Sequence, residues 1–442
     1  MPAPLKFVAT TPELPAAADA VIIGGGIVGI FAAYYLARRG LKVALVEKGR
    51  IGAEQSSRNW GWCRQQNRDA RELPMATKSL DLWERFAGET GEDTGFRRCG
   101  LFYLSNSDEE LAGWARWRDF ARTAGVTTHM LDGVEATERG RATGKPWKGG
   151  VFFADRRHRG SGVRSTGRRG RDPEARRNSP PVLRRPRYRD RRGPRLRRCH
   201  GTRHHSHQNR GACRRCLGVL LLPPAWHPLS AGLYPLFDPF GVSPGATGLP
   251  DALHTAAVSV TRRGDGGYTL AISGGGRVDL TPQQLRFAPH FLPMFVRRWR
   301  SLAPGGLQGI RSGHETLARW RLDAPTPMER MRILDPAIDK RTIRTTHLRA
   351  LELLPALKNT KITAAWAGYV DSTPDGVPGI GEIATVPGFI LAAGFSGHGF
   401  GIGPGAGHLI ADIVTGDEPI VDPRPYHPDR FLTSAWGKVA DF

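Results

Sequence analysis

Three clusters of residue types in this 442-residue chain could do chemistry. The first is Gly24-Gly25-Gly26-Ile27-Val28-Gly29, which fits G-x-G-x-x-G, with Glu47-Lys48 beginning 18 residues past Gly29. Glycine at 24 permits a tight turn, at 26 lets a pyrophosphate approach the backbone, and at 29 lets a helix pack closely on a strand. Free N–H groups at the helix N-terminus attract phosphate. Glu47 could accept hydrogen bonds from ribose hydroxyls, and its charge disfavours a 2′-phosphate. The turn alone does not separate FAD from NAD. The second cluster is Gly394-Phe395-Ser396-Gly397-His398-Gly399-Phe400-Gly401, another glycine-rich loop before an apolar run. The third is Cys213-Arg214-Arg215-Cys216, with His200, His204, His205 and His207 just upstream.

The elements that must carry these residues can be read around them. Val21-Ile22-Ile23 and Leu41–Val46 read as buried parallel strands, and Ile30–Arg39 between them as a helix stopped at Gly40. With the first turn they make a βαβ nucleotide unit. Near the other end, Ile362–Tyr369 and Gly388–Ala393 read as strands separated by the turn Ser372-Thr373-Pro374-Asp375-Gly376. The second glycine loop follows, then a helix from about Pro404 to Thr415 with Gly416 as its stop. His254–Val260 and Tyr268–Gly274 flank Asp265-Gly266-Gly267 and read as a hairpin; Gln284–Trp299 reads as helical.

Composition separates one segment from the rest. Between Asp155 and Cys216 stand 22 Arg, no Lys and 4 acids, a net of +18 out of the chain's +23. The remainder is ordinarily charged. Three readings compete for 155–240. An Arg run can bind nucleic acid. The C-x-x-C with upstream histidines could bind zinc, but the order is reversed and no core residues intervene. Translation in a shifted frame accounts for Arg without Lys, since GC-rich codons supply Arg, and for the lack of Ile, Phe, Met and Trp from Asp155 to Gly218. The third reading is preferred, with 155–240 expected to be disordered or misfolded and to weaken cofactor retention. No metal and no nucleic acid are then expected as partners. Five cysteines do not make a disulfide framework, the N-terminus lacks a secretory signal, and Val21–Ala37 is too short and glycine-broken to span a membrane. The chain reads as cytoplasmic, without an integral membrane segment.

VIIGGGIVGIFAAYYLARRGLKVALVEK, GAEQSSRNWGW, TPDGVPGIG and GFSGHGFGIGPGAG, in that order, resemble the FAD-dependent D-amino acid oxidase family, which includes glycine oxidase, sarcosine oxidase and D-amino acid dehydrogenase. The resemblance covers about 1–154 and 241–442. It implies an α/β architecture: a Rossmann-like FAD-binding domain with a second, mostly antiparallel α+β substrate domain. The expected division is 1–60 for the FAD-binding βαβ unit, 61–154 and 241–349 for the substrate domain, 155–240 for the anomalous segment, and 350–442 for the C-terminal part of the FAD domain. It implies FAD as cofactor, with Ser56, Ser57, Arg58, Asn59 and Gly61 along the phosphates toward the flavin. Gly394, Gly397, His398, Gly399 and Phe400 would lie under the pyrimidine end. From the residues alone, Ser56 and Ser57 read equally as N-caps and His398 as a loop residue.

The resemblance further implies oxidation of a C–N bond of an amine or amino acid to an imine, with oxygen or a respiratory chain as electron acceptor. The family places an Arg just before the TPDG turn to bind substrate carboxylate; here Gly368-Tyr369-Val370-Asp371-Ser372 offers none. The expectation therefore leans toward an amine or N-substituted amino acid, with Tyr369, Asp371 and His398 as candidate catalytic residues. A NAD-dependent dehydrogenase and a nucleic-acid-associated protein remain the alternatives.

Overall fold

The computed structural model describes residues 5, 7–153, 232–235, 239–272, 276–278, 282–299, 302–304, 325, 327–384 and 386–432. Of the segment 155–240, for which three readings compete, only 232–235 and 239–240 are described, and there Gly232–Pro235 is a strand paired with Tyr369–Ser372 and Phe240 begins another, so disorder is not what these few residues show; the Arg-rich run and Cys213–Cys216 lie outside the described residues.

The chain opens with β1 (Ala20–Ile23), α1 (Ile27–Arg38) and β2 (Val43–Val46), followed by α2 (Leu73–Thr90) and β3 (Leu101–Ser105). Next come α3 (Asp108–Thr123), β4 (His129–Leu131), α4 (Gly133–Arg139) and β5 (Gly149–Phe153). The middle supplies β6 (Gly232–Pro235), β7 (Phe240–Val242), β8 (Ala252–His254), β9 (Ser259–Arg262), β10 (Tyr268–Ala271), β11 (Gly276–Val278), α5 (Pro282–Arg298) and β12 (Leu302–Pro304). The last part supplies α6 (Pro327–Arg330), α7 (Lys340–Leu353), β13 (Ile362–Ala365), β14 (Tyr369–Ser372), β15 (Gly379–Glu382), β16 (Ile390–Ala393) and α8 (Gly399–Thr415).

Two assemblies emerge. In one, β1 and β2 pair in parallel with Ala20 opposite Val43 and Ile23 opposite Val46, and α1 connects them. This is the βαβ unit expected from the sequence. Helix α8, from the far end of the chain, packs on α1 and on α2. Gly403 and Gly407 make this approach feasible: a Cβ on Gly407 would stand 2.5 Å from Phe31 Cβ, and one on Gly403 would stand 3.0 Å from Ile27 Cγ1. Ala411 is wholly buried there with Phe31, Leu36 and Trp83, and Leu409 with Ala32, Met75 and Ala76. The far ends are clamped by polar groups. Arg39 pairs with the buried Asp412, which also accepts from Ile420 N at 2.9 Å and faces His408 Nδ1 at 3.0 Å.

The other assembly is an eight-stranded sheet in the order β13-β7-β10-β9-β8-β3-β5-β4. Every neighbouring pair is antiparallel except β3–β8. Successive strand residues point to opposite faces. Leu104, Phe240, Leu253 and Leu270 accordingly pack with Ile343, Ala350 and Leu353 of α7. Leu101, Tyr103, Val151 and Ala252 face the other way, with Trp114 and Trp62. That second face looks toward the loop that links the two assemblies.

Several boundaries differ from the sequence reading. The hairpin at Asp265-Gly266-Gly267 is present, with Arg262 opposite Tyr268, but its first strand is Ser259–Arg262. His254 ends β8 instead. Helix α8 begins at Gly399, so Pro404 sits inside it, where its missing N–H leaves the Phe400 carbonyl without its helical donor. Burial of Gly401 through Gly407 between two other helices supports the turn that glycine and proline propensity oppose.

Candidate active site

The two glycine turns meet. Gly403 abuts Ile27 at the start of α1, so the N-termini of α1 and α8 lie side by side. At the first turn, Gly29 is required by close approach: a Cβ there would lie 2.1 Å from the Gly24 carbonyl oxygen. The Gly25 amide donates to Glu47 Oε2 at 2.8 Å, and Gly49 donates to Oε1 at 2.7 Å. Glu47 thus braces the turn, and a carboxylate has lone pairs left for further donors. Lys48 pairs with Glu54 at 2.6 Å. Ser56 Oγ accepts from Ile27 N at 2.9 Å. It caps α1 from a different segment, as the capping reading of that residue expects. Ser57 Oγ donates to Glu54 O at 3.1 Å. Asn59 donates to Ser56 O, and Gly61 N donates to Asn59 Oδ1 at 2.6 Å.

Arg58 turns inward, 6% exposed. It donates to the Ala367 carbonyl at 2.9 Å and pairs with Asp335 at 2.7 Å, pinning its loop to the segment before β14. Arg58 and Tyr369 line one small cleft with Glu54, Gln55, Leu334 and Gly368. Asp371 does not face that cleft: its carboxylate accepts from Gly394 N at 2.7 Å, and its carbonyl accepts from Ser396 N at 2.7 Å. It anchors the second glycine loop, where Gly394, Ser396 and Gly397 all take positive φ. Burial pushes the Asp371 carboxyl up to about 6, with the Gly394 N–H opposing. Gly399 opens α8. The Phe400 ring lies 5.5 Å from Trp83 and so points into the helix core.

His398 stands at the N-cap position of α8 without a side-chain capping bond, and its Nδ1 lies 2.8 Å from the carboxylate of Glu72. Glu72 is 1% exposed and Arg68, 3.9 Å from it, is 3% exposed. Burial drives the imidazole down to about 4, helped by Arg68 and opposed by Glu72. Burial works to raise the Glu72 carboxyl, but His398 and Arg68 outweigh it and hold it low. Arg64 joins this group, with Gly401 against the Cys63–Arg64 backbone. Its guanidinium stacks 5.7 Å from the Trp62 ring and donates to Gln66 O. On the sheet face above, the His254 and Tyr103 rings lie 4.4 Å apart, and burial, with Arg64 adding, pushes His254 down to about 3.

Sequence reasoning therefore located both glycine turns and His398, but not Arg64, Arg68, Glu72, Tyr103 or His254. One signal was available: Arg64, Arg68 and Glu72 are spaced by four, directly after Gly61-Trp62-Cys63.

A nucleotide-linked flavin fits this cradle on two observations. The first-turn amides of Val28 and Gly29 have no protein acceptor among the described residues, and α8 points a second N-terminus at the same place. Within six residues, Gln55 Nε2, Arg58 Nε and Trp60 Nε1 are buried without a hydrogen-bond partner. Buried donors of this kind call for an acceptor-rich ligand.

The fold and these turns are those of a family of flavin-dependent oxidoreductases. The chain belongs to the DAO family, FAD dependent oxidoreductase, whose pattern matches residues 19–160 and 279–413. FAD is the cofactor of that family, which answers the choice between FAD and NAD. A glycine oxidase from Pseudomonas putida is 40% identical over 83 residues, 19% of this chain and 23% of that protein. A second glycine oxidase, from Pseudomonas aeruginosa, matches over 22% of its own length. These first matches thus span less than a quarter of each enzyme. A glycine oxidase from Geobacillus kaustophilus is 23% identical over 435 residues, 95% of this chain and 98% of that protein. Among solved structures, L-amino acid deaminase from Proteus vulgaris shares the fold with a TM-score of 0.76 at 20% identity, covering 96% of this chain and 100% of that one. No helix among the described residues is long and apolar enough to cross a membrane.

Proposed function

We propose that the protein oxidises the C–N bond of an amino acid to the imine and that Arg64 and Arg68 hold the substrate carboxylate. FAD, when bound, supplies the chemistry by accepting a hydride from the substrate α-carbon, while the amine nitrogen loses a proton. The protein's own work is to bind, orient and exclude water.

The observation that carries this reading is charge balance. Two arginines face one carboxylate, Glu72, and the neighbouring imidazoles of His398 and His254 are held neutral by burial. Among the described residues Arg64 has no acidic partner, and the buried Nη1 of Arg68 has no hydrogen-bond partner. An excess of one positive charge, with Arg68 buried and Arg64 partly buried, fits one anionic group. This moves the reading from a carboxylate-free amine toward a primary or N-substituted amino acid. Glycine oxidase and L-amino acid deaminase, both similar to this chain, are named for such substrates. Tyr369, beside Arg58 at the cleft, is a candidate contact for the rest of the molecule.

The test is a turnover panel pairing D- and L-amino acids, glycine and sarcosine with the amines that lack their carboxylate. Charge-assisted hydrogen bonds of about 1.5–3 kcal/mol imply roughly a 10- to 100-fold preference for the acids. Arg64→Met raises KM for the acids by that factor and leaves the amines unchanged. Equal turnover of acids and amines overturns the assignment. Peroxide detection in the same assay distinguishes oxygen from a respiratory chain as acceptor.

A further inference from the structure

Glu72 belongs neither to the nucleotide cradle nor to the pair of arginines proposed for the carboxylate. It stands at the start of α2, almost wholly buried, with both carboxylate oxygens on His398 Nδ1 at 2.8 and 3.0 Å. Arg68 lies 3.9 Å from Oε2, the oxygen nearest Nδ1, and keeps an ionic neighbour beside it. An ionised carboxylate only accepts, so the hydrogen in this bond belongs to Nδ1. A neutral imidazole carries one N–H, which leaves Nε2 as a bare acceptor. The His398 side chain is 28% exposed, and Nε2 is absent from the buried unpartnered atoms, so this nitrogen meets the open side of the loop. An imidazolium is disfavoured there first by burial, then by Arg68, Arg64 and the positive end of α8, with Glu72 opposing.

We propose that Glu72 is a positioning residue, which holds His398 as the Nδ1–H tautomer and presents Nε2 as a fixed hydrogen-bond acceptor on the open side of the Gly394–Gly401 loop. The ligand it receives is an N–H donor. That this donor is the substrate amine rests on the function proposed above; the tautomer does not.

The experiment uses the full chain labelled with 15N in its histidines, with His398 assigned by its loss in His398→Gln. Long-range 1H–15N correlation at neutral pH reads each ring nitrogen. In the wild type, Nδ1 gives the protonated, pyrrole-type signal and Nε2 the unprotonated, pyridine-type signal. Glu72→Met removes the acceptor, and the pattern shifts toward the Nε2–H form. Circular dichroism checks the fold. Should Glu72→Met not fold, Glu72→Gln serves: a neutral amide is a weaker acceptor than a carboxylate and can also donate, so the preference for Nδ1–H weakens and the pattern shifts in the same direction. A wild type in the Nε2–H form or an even mixture overturns the proposal. So does a folded variant that keeps the wild-type pattern. Flavin absorbance of the same samples reads cofactor binding separately, so failure of the flavin reading leaves the tautomer result standing.

Discussion

Replacing Gly407 with alanine probes the contact on which the whole cradle depends. A Cβ there would stand 2.5 Å from Phe31 Cβ, 2.6 Å from Ala32 N and 2.7 Å from Phe31 C. Carbon contacts settle at about 3.5–4.0 Å, so α1 and α8 must part locally by roughly 1 Å. Two of the three blocking atoms are backbone and cannot turn aside. Overpacking of this kind costs about 1–3 kcal/mol, and the upper part of that range applies here. Alanine's better helix propensity returns about 0.8–1.0 kcal/mol. The net expectation is a destabilisation of about 2 kcal/mol. Gly88→Ala is the control: it lies on an exposed face of α2 with nothing within 4 Å of the added atom. That variant gains about 0.5–1 kcal/mol. Urea unfolding followed by tryptophan fluorescence reads both midpoints, and flavin fluorescence reads cofactor release in the same samples. A Gly407→Ala protein as stable as the wild type, or more so, refutes the close packing of α8 on α1.

Two further outcomes are expected. Gly29→Ala cannot close the first turn, because its Cβ would lie 2.1 Å from the Gly24 oxygen; a flavin-fluorescence titration should show FAD affinity falling by at least about tenfold with little change in circular dichroism. Asp371→Asn keeps an oxygen for the Gly394 amide but removes the titration. The wild-type carboxyl sits at about 6 in the fold, above its unfolded value, so its contribution is present at low pH and is lost as pH rises through about 6. The stability difference between wild type and variant should therefore change by up to about 3 kcal/mol between roughly pH 4 and 7, and a flat difference would count against the buried placement.

The nucleotide unit was legible because local patterns specify it. Val21-Ile22-Ile23, the glycines at 24, 26 and 29, and Glu47 lie within one short stretch, and their spacing maps directly onto strand, turn and helix. The hairpin at Asp265-Gly266-Gly267 was legible for the same reason, although its first strand slid to Ser259–Arg262. The start of α8 was not. Glycine and proline argue locally against a helix, and only the neighbours α1 and α2, hundreds of residues away in sequence, make Gly399–Gly403 helical. The polar group around His398 was hidden in another way. Arg64, Arg68 and Glu72 look like a solvated charged turn until Trp117 donates to the Arg68 carbonyl at 3.1 Å and Tyr103 closes over them. Asp371 was taken as a substrate contact because it stands where the family places its arginine. Its carboxylate instead faces a main-chain amide, a use that sequence spacing does not reveal.

The packing of α1 against α8 also dictates when this protein can first hold its cofactor. The buried face of α1, with Phe31 and Leu36, leaves the ribosome some 370 residues before Gly407 is made. At about 5–20 residues per second that is a wait of roughly 20–70 s, during which α1 has α2, through Trp83 and Phe86, but not α8 to cover it. Flavin capture is thus a late event of biosynthesis, because the second glycine turn of the cradle is among the last parts made.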